Sequence, residues 1–201
     1  MTIMSESQKD ALTEVINIAF SRAAAALSEL TNQRVLLDVP RINIHPIEEL
    51  QLALSDLVEG EVATVHQIFN GAVSGDAFLM LNEKGAIVLI DLLTGPTGER
   101  DRLLESDNEV LNEVGNIILN ACLGTFGNML KVHIRFSVPR VRLNAIEGLV
   151  ASLSIGNTEV HYALVVSTDF RVRETDISGF LVIVLGVSSL ELLLKAVDTM
   201  G

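Results

Sequence analysis

DALTEVINIAF at residues 10–20 and EVLNEVGNIIL at residues 109–119 are two copies of one pattern. Glu14, Val15, Asn17 and Ile18 recur as Glu113, Val114, Asn116 and Ile117, and Leu12 recurs as Leu111. The register continues at an offset of 99 residues. Val39-Pro40-Arg41 returns as Val138-Pro139-Arg140, Ile47-Glu48 as Ile146-Glu147, and Leu54-Ser55 as Leu153-Ser154. Further along the offset becomes 104, with residues 87–93 facing residues 190–197, which places five extra residues in the second copy near the polar stretch 170–176. A repeat this long decides the fold, because similar sequences in one chain build similar units.

Each copy reads outward from its quoted helix. Leu12, Val15, Ile16, Ala19, Ala23, Ala26, Leu27 and Leu30 recur at i+3/i+4 spacing, which predicts an amphipathic helix over residues 8–31. Ser5 or Ser7 is its candidate cap. Residues 106–130 read the same way, with Ser106 or Asp107 as cap. Gly115, Gly124 and Gly127 oppose that reading, since each costs a helix interior about 1 kcal/mol against Ala. An alternating strand follows each helix, at 35–44 and 131–143, and each carries a Pro-Arg pair. Proline removes a ladder donor, so these strands lie at an edge or bulge there. Further strands are predicted at 61–69, 73–81, 149–155, 159–168 and 177–186, and shorter helices at 83–94 and 188–198. NEKG and GVSS open the short helices, and Gly95-Pro96 ends the first. Helix, strands, helix, twice over, predicts an α+β fold with helices covering a mostly antiparallel sheet. Residues 1–201 then form a single domain of two pseudo-symmetric halves, about 8–95 and 106–199.

Composition narrows the function. Fourteen Lys and Arg against 26 Asp and Glu give a net charge of −12, which argues against nucleic acid and against anionic membrane as partners. The chain is 49% hydrophobic, yet its longest strongly apolar stretch, residues 180–187, is far shorter than the roughly 20 residues of a spanning helix. No basic region leads into an apolar run at the N-terminus, so no signal peptide is expected and the compartment is read as cytoplasmic. The lone Cys122 allows neither an internal disulfide nor a cysteine zinc cluster, and it falls on the core stripe of its helix. His45, His66, His133 and His161 are scattered over predicted strands or their ends and read as structural or surface residues. No Walker A loop, H-E-x-x-H or G-x-S-x-G is present, and no Ser-His or Cys-His arrangement supports a nucleophile.

What remains is the polar face of each long helix. At 100° per residue, Asp10, Glu14, Asn17 and Ser21 form one band opposite the core, and Glu109, Glu113, Asn116 and Asn120 form the matching band. An ordinary solvated face drifts after duplication, whereas Glu-x-x-Asn stands in both copies. Ile18 and Ile117 sit beside their glutamates on the solvent side of the stripe, which suggests a partner contact unless a loop or sheet edge covers them. A carboxylate pairs with a cation; a carboxamide donates and accepts at once and can orient a water. Such equipment suits a protein that places a water in a partner's active site.

Asp10-x3-Glu14-x2-Asn17, followed after 22 residues by Pro40, resembles the signature of the CheC/CheX/FliY chemotaxis phosphatases. Glu113-x2-Asn116, followed after 22 residues by Pro139, is similar to it too, with Glu109 in place of the family's Asp or Ser. Two copies in about 200 residues resemble CheC more than the shorter CheX or the longer FliY and FliM. The resemblance implies a pseudo-two-fold fold with two long helices on one face. It implies a phosphatase for the aspartyl phosphate of a CheY-like response regulator, with Mg2+ bound by that partner and no cofactor held by this chain. Asn17 and Asn116 would orient the attacking water, and Glu14 and Glu113 would pair with the partner's active-site lysine. Asp10, Ile18, Ser21, Glu109, Ile117 and Asn120 would then contact the partner. Some family members bind the deamidase CheD, and a non-catalytic adaptor for a receiver or for CheD is the alternative reading.

Overall fold

The computed structural model describes residues 4–55, 62–95, 102–144, 161–172 and 175–199. Helix α1, Glu6–Thr31, starts at Ser5, whose hydroxyl accepts the Gln8 N–H at 3.1 Å while Gln8 Oε1 accepts the Ser5 N–H at 2.9 Å. This reciprocal box satisfies two donors that a helix start leaves open. Its buried line is Leu12, Val15, Ile16, Ala19, Phe20, Ala23, Leu27 and Thr31. The apolar stripe predicted from spacing is thus rotated at its end: Leu30 is 44% exposed, and Phe20 and Thr31 enter the core. Helix α4, Asn108–Leu130, follows a short 3-10 turn, Glu105–Asp107. Asp107 occupies the cap position, but its carboxylate turns back to accept the Leu104 N–H at 2.8 Å.

The strands are β1 (Val35–Leu37), β2 (Arg41–Pro46), β3 (Val62–Gly71), β4 (Gly75–Asn82), β5 (Ile134–Phe136), β6 (Arg140–Asn144), β7 (His161–Val172) and β8 (Thr175–Gly186). They form one sheet in the order β1-β7-β8-β4-β3-β5, with β2 also on β7 and β6 also on β3, and every pairing is antiparallel. The order reads alike from both sides of the β8–β4 pair. Each half gives its proline-bearing strands to the other: β1 and β2 pair with β7, and β5 and β6 pair with β3. The predicted strands 35–44 and 131–143 are therefore each broken in two, at an outer position of the sheet. Leu37 faces Phe170 and Arg41 faces Ser167, so three residues oppose two. Phe136 faces Phe69 and Arg140 faces His66, which is the same one-residue bulge. Pro40 and Pro139 end these bulges, where a missing N–H costs no ladder bond. β7 and β8 have 12 residues each against 10 in β3 and 8 in β4, so the longer hairpin takes up the extra residues of the second copy.

Helices α1 and α4 pack on one face of the sheet with α3 (Glu83–Thr94) and α5 (Val187–Asp198). Asn82 Oδ1 accepts the Gly85 N–H at 2.7 Å to open α3, and Gly95, at φ 86°, closes it. The opposite face packs Phe78, Met80, Val165, Val182 and Val184 against Leu50 and Leu54 of α2, Leu50–Ser55. Six residues carry too little periodicity for α2 to be foreseen. The predicted strand 149–155 lies outside the described residues.

Gly115 explains why α4 tolerates a glycine. A Cβ there would stand 2.5 Å from Val65 Cγ1 and 2.8 Å from Val65 Cβ, so α4 reaches β3 only without a side chain at this position. Alanine gains about 1 kcal/mol of helix propensity, but overpacking against a β-branched strand residue costs about 1–3 kcal/mol. Gly115→Ala is expected to lose about 1 kcal/mol net, read as a lower urea midpoint at constant slope. A higher midpoint would show that the helix-to-sheet contact is looser than its geometry.

Cys122 is fully buried and its thiol pKa is pushed up by that burial, in keeping with a packing role. Among the histidines, His66 and His161 are buried, His45 is half-buried and His133 is exposed. His66 Nε2 stands 2.6 Å from Asp76 Oδ1 on the neighbouring strand, and its ring stacks on Phe78 with centroids 4.3 Å apart.

Candidate functional site

The two polar bands occupy the outward sides of α1 and α4. On α1, Asp10, Glu14 and Ser21 are exposed and Asn17 is half-buried. Ser21 turns its hydroxyl back to the Asn17 carbonyl at 2.8 Å, inside the helix ladder. On α4, Glu109 and Glu113 are exposed, and Asn116 and Asn120 are half-buried. The two isoleucines part company. Ile18 is 40% exposed, while Ile117 is half-buried and packs on the core, so only Ile18 offers an open apolar surface.

The second band has a wall opposite it. Glu109, Asn112, Glu113, Asn116 and Asn120 line a cleft of about 370 Å³ whose far side is Phe136, Ser137, Val138 and Pro139, the bulge between β5 and β6. Gln67 of β3 forms the floor at 1% exposure. Two carboxylates and no cation stand among the lining residues, so the cleft favours a cationic group from outside. Asn120 Nδ2 donates to Asn116 Oδ1 at 2.8 Å. Gln67 Nε2 donates to Asn120 Oδ1 at 3.2 Å and to the Ser137 carbonyl at 3.0 Å. The bulge is tied down further where Ser137 Oγ accepts the Ile68 N–H at 2.9 Å. In the first half the matching bulge carbonyl, of Asp38, accepts from the hydroxyl of Thr168 at 2.8 Å.

Two bulge residues, one in each half, escaped the reading of the helix faces. Val39 and Val138 are 70% and 84% exposed, each just before a buried proline and in the bulge of its half. The signal was in the sequence, since Val-Pro-Arg recurs at the same offset as Glu-x-x-Asn. The bulge that aims each valine outward is a sheet-pairing feature and has no sequence mark beyond the proline. Gln67 was missed because its strand is assigned by alternation, and alternation places Gln67 on the helix-facing side, where apolar residues are the norm. Among the described residues no group of three His, Cys, Asp or Glu side chains converges as a metal site. Among them, too, no helix is long and apolar enough to cross a membrane.

The pattern of the CheC-like family matches residues 8–44, the span from the first Glu-x-x-Asn helix through Pro40. The CheY-P phosphatase CheC of Bacillus subtilis is 28% identical over 176 residues, 82% of this chain and 80% of that protein. The chain is similar to the CheC-like proteins. A second relative, the flagellar motor switch phosphatase FliY of the same organism, is 27% identical over 142 residues, 70% of this chain. The chain spans only 36% of FliY's length. The crystal structure of Thermotoga maritima FliY superposes with a TM-score of 0.80 at 20% identity and full coverage of both chains, which gives this chain the same fold. The CheC-like match covers the α1 band, and the cleft with the amide network belongs to the α4 band, so the two bands differ in surroundings while sharing the Glu-x-x-Asn spacing.

Proposed function

We propose that this chain dephosphorylates a CheY-like response regulator, using Glu14 and Asn17 on α1 and Glu113 and Asn116 on α4. The observation that carries the reading is the duplicated Glu-x-x-Asn band on solvent-facing helix surfaces, in a chain whose relatives include a CheY-P phosphatase. Glu14 and Glu113 are exposed carboxylates suited to a lysine of the partner, and such a pair sets register more than affinity. Asn17 and Asn116 then meet the partner's aspartyl phosphate with a carboxamide that accepts a hydrogen bond from a water and holds it in line with phosphorus. Water attacks, the bond from phosphorus to the aspartyl oxygen breaks, and inorganic phosphate leaves a free aspartate on the partner. Phosphoryl transfer asks a protein mainly for positioning and charge stabilisation, so no nucleophile on this chain is needed. Any Mg2+ required belongs to the partner's phosphorylation site. Asp10, Ser21, Ile18 and Val39 border the first site, and Glu109, Asn120 and Val138 the second, as contact residues.

The test mixes the protein with a phosphorylated receiver domain and Mg2+ and follows phosphate release. Acceleration over the receiver's own rate is expected, proportional to the amount of protein added. Binding without acceleration would instead make the chain an adaptor for the receiver.

A further inference from the structure

We propose that Gln67 and Asn120 are positioning residues for Asn116, forming one relay of amides from the sheet to the second site. The proposal rests on the reading that Asn116 orients the attacking water. A half-buried asparagine on a helix has freedom in its outer torsion, and a water-orienting carboxamide works only when that torsion is fixed. Here it is fixed from behind. Asn120, one turn on, donates to Asn116 Oδ1 at 2.8 Å. That leaves the second lone pair of Oδ1 and both N–H groups of Asn116 for the cleft. Asn120 would itself be free to turn, but Gln67 donates to its Oδ1 at 3.2 Å.

Gln67 is the fixed end of the chain. It is 1% exposed, on a central part of β3, and its second N–H holds the Ser137 carbonyl at 3.0 Å. One side chain thus fixes the distance between the asparagine on α4 and the bulge that forms the opposite wall of the cleft. Its Oε1 is buried with no hydrogen-bond partner among the described residues. A buried amide with an unpaired oxygen costs stability, and an apolar side chain of the same length would avoid that cost. Packing alone therefore gives no reason for glutamine here, and the relay does.

The first half shows what the bulge needs without the relay. Thr168 serves the Asp38 carbonyl at 2.8 Å and is too short to reach the helix band. Ser21 spends its hydroxyl on the Asn17 backbone carbonyl, and among the described residues no side chain donates to the Asn17 carboxamide. Threonine suffices to close a bulge; glutamine and Asn120 add the hold on Asn116.

The experiment uses Asn17→Ala protein, in which only the second site remains, with a phosphorylated receiver and Mg2+. Gln67→Met keeps length and burial and removes both donated bonds. It is expected to lower kcat about tenfold while KM for the receiver stays within about twofold, because the helix surface that docks is untouched. Asn120→Asp, which removes the donor to Asn116, is expected to lower kcat likewise, with a KM change of its own because Asn120 also lines the cleft. Both losses should vanish in Asn116→Ala protein with Asn17 restored, where only the first site acts. A loss in KM alone, or a kcat loss that persists without Asn116, would overturn the relay. A second readout is independent of catalysis: the side-chain NH2 signals of Asn120 and Asn116 in the 15N spectrum should shift in Gln67→Met while the backbone spectrum stays that of the folded protein. Unmoved side-chain signals would overturn the relay, and a collapsed backbone spectrum would assign Gln67 to structure alone. Absence of any phosphatase activity in the unmutated protein would overturn the functional reading instead, and the spectra would still judge the relay.

Discussion

Asn17→Ala/Asn116→Ala is expected to return phosphate release to the receiver's own rate, a loss of about two orders of magnitude or more in the acceleration. Neither asparagine carries the fold. Both are half-buried on the outward side of long helices, and alanine is the better helix former. The double mutant should therefore unfold at the wild-type temperature or slightly above it and still bind the receiver through Glu14, Glu113 and the bulge valines. Each single mutant should lose part of the acceleration, since each leaves one complete site. A double mutant with undiminished activity would remove the asparagines from the chemistry. One dead single mutant beside a normal one would confine the chemistry to one site.

The second large effect lies on the other face of the sheet. His66→Leu is expected to cost about 1–3 kcal/mol in urea unfolding. Asp76 is fully buried, and His66 stands 2.6 Å from its carboxylate. Leucine of similar bulk keeps most of the packing on Phe78 but takes away one polar partner of Asp76, so the desolvation of that buried side chain is offset less fully. Replacing both partners, His66→Leu/Asp76→Leu, should recover a large part of the loss, because the carboxylate goes with the imidazole. If His66→Leu costs less than about 1 kcal/mol, the pair contributes little. In that case the double substitution would be no better than the single one.

The repeat made most of the architecture legible. Leu12 with Leu111 and Val15 with Val114 locate both long helices to within two residues of α1 and α4. The prolines announced outer, bulged strands because a missing N–H admits few other places in a sheet. The exchange of those strands between halves was not legible, since alternation records which side a residue faces and not which strand lies beside it. The Gly115 penalty was real in propensity and irrelevant in outcome, because propensity counts the helix alone and Val65 sits on the sheet. Of the site, the Glu and Asn bands were legible from spacing and duplication. The amide relay was not, because Gln67 lies 53 residues from Asn120 and meets it only through packing. Ile117 went astray for the same kind of reason: the angular position that leaves Ile18 40% exposed on α1 is half-buried against the core on α4, which spacing along one helix does not record.

The exchange of β1–β2 and β5–β6 also sets a timetable for synthesis. Val35 pairs with Val172, so strands made in the first quarter of the chain wait for a partner made in the last. Until β7 leaves the ribosome, β1 and β2 have no ladder to join, and the opening helix has only part of its floor. Pairings this remote in sequence close late and slowly. The nascent chain consequently carries an open strand edge for most of its production, the condition under which neighbouring chains pair with each other. Pro40, between the two waiting strands, cannot donate to a wrong ladder, so the residue that ends the bulge of the finished sheet also hinders pairing between unfinished copies.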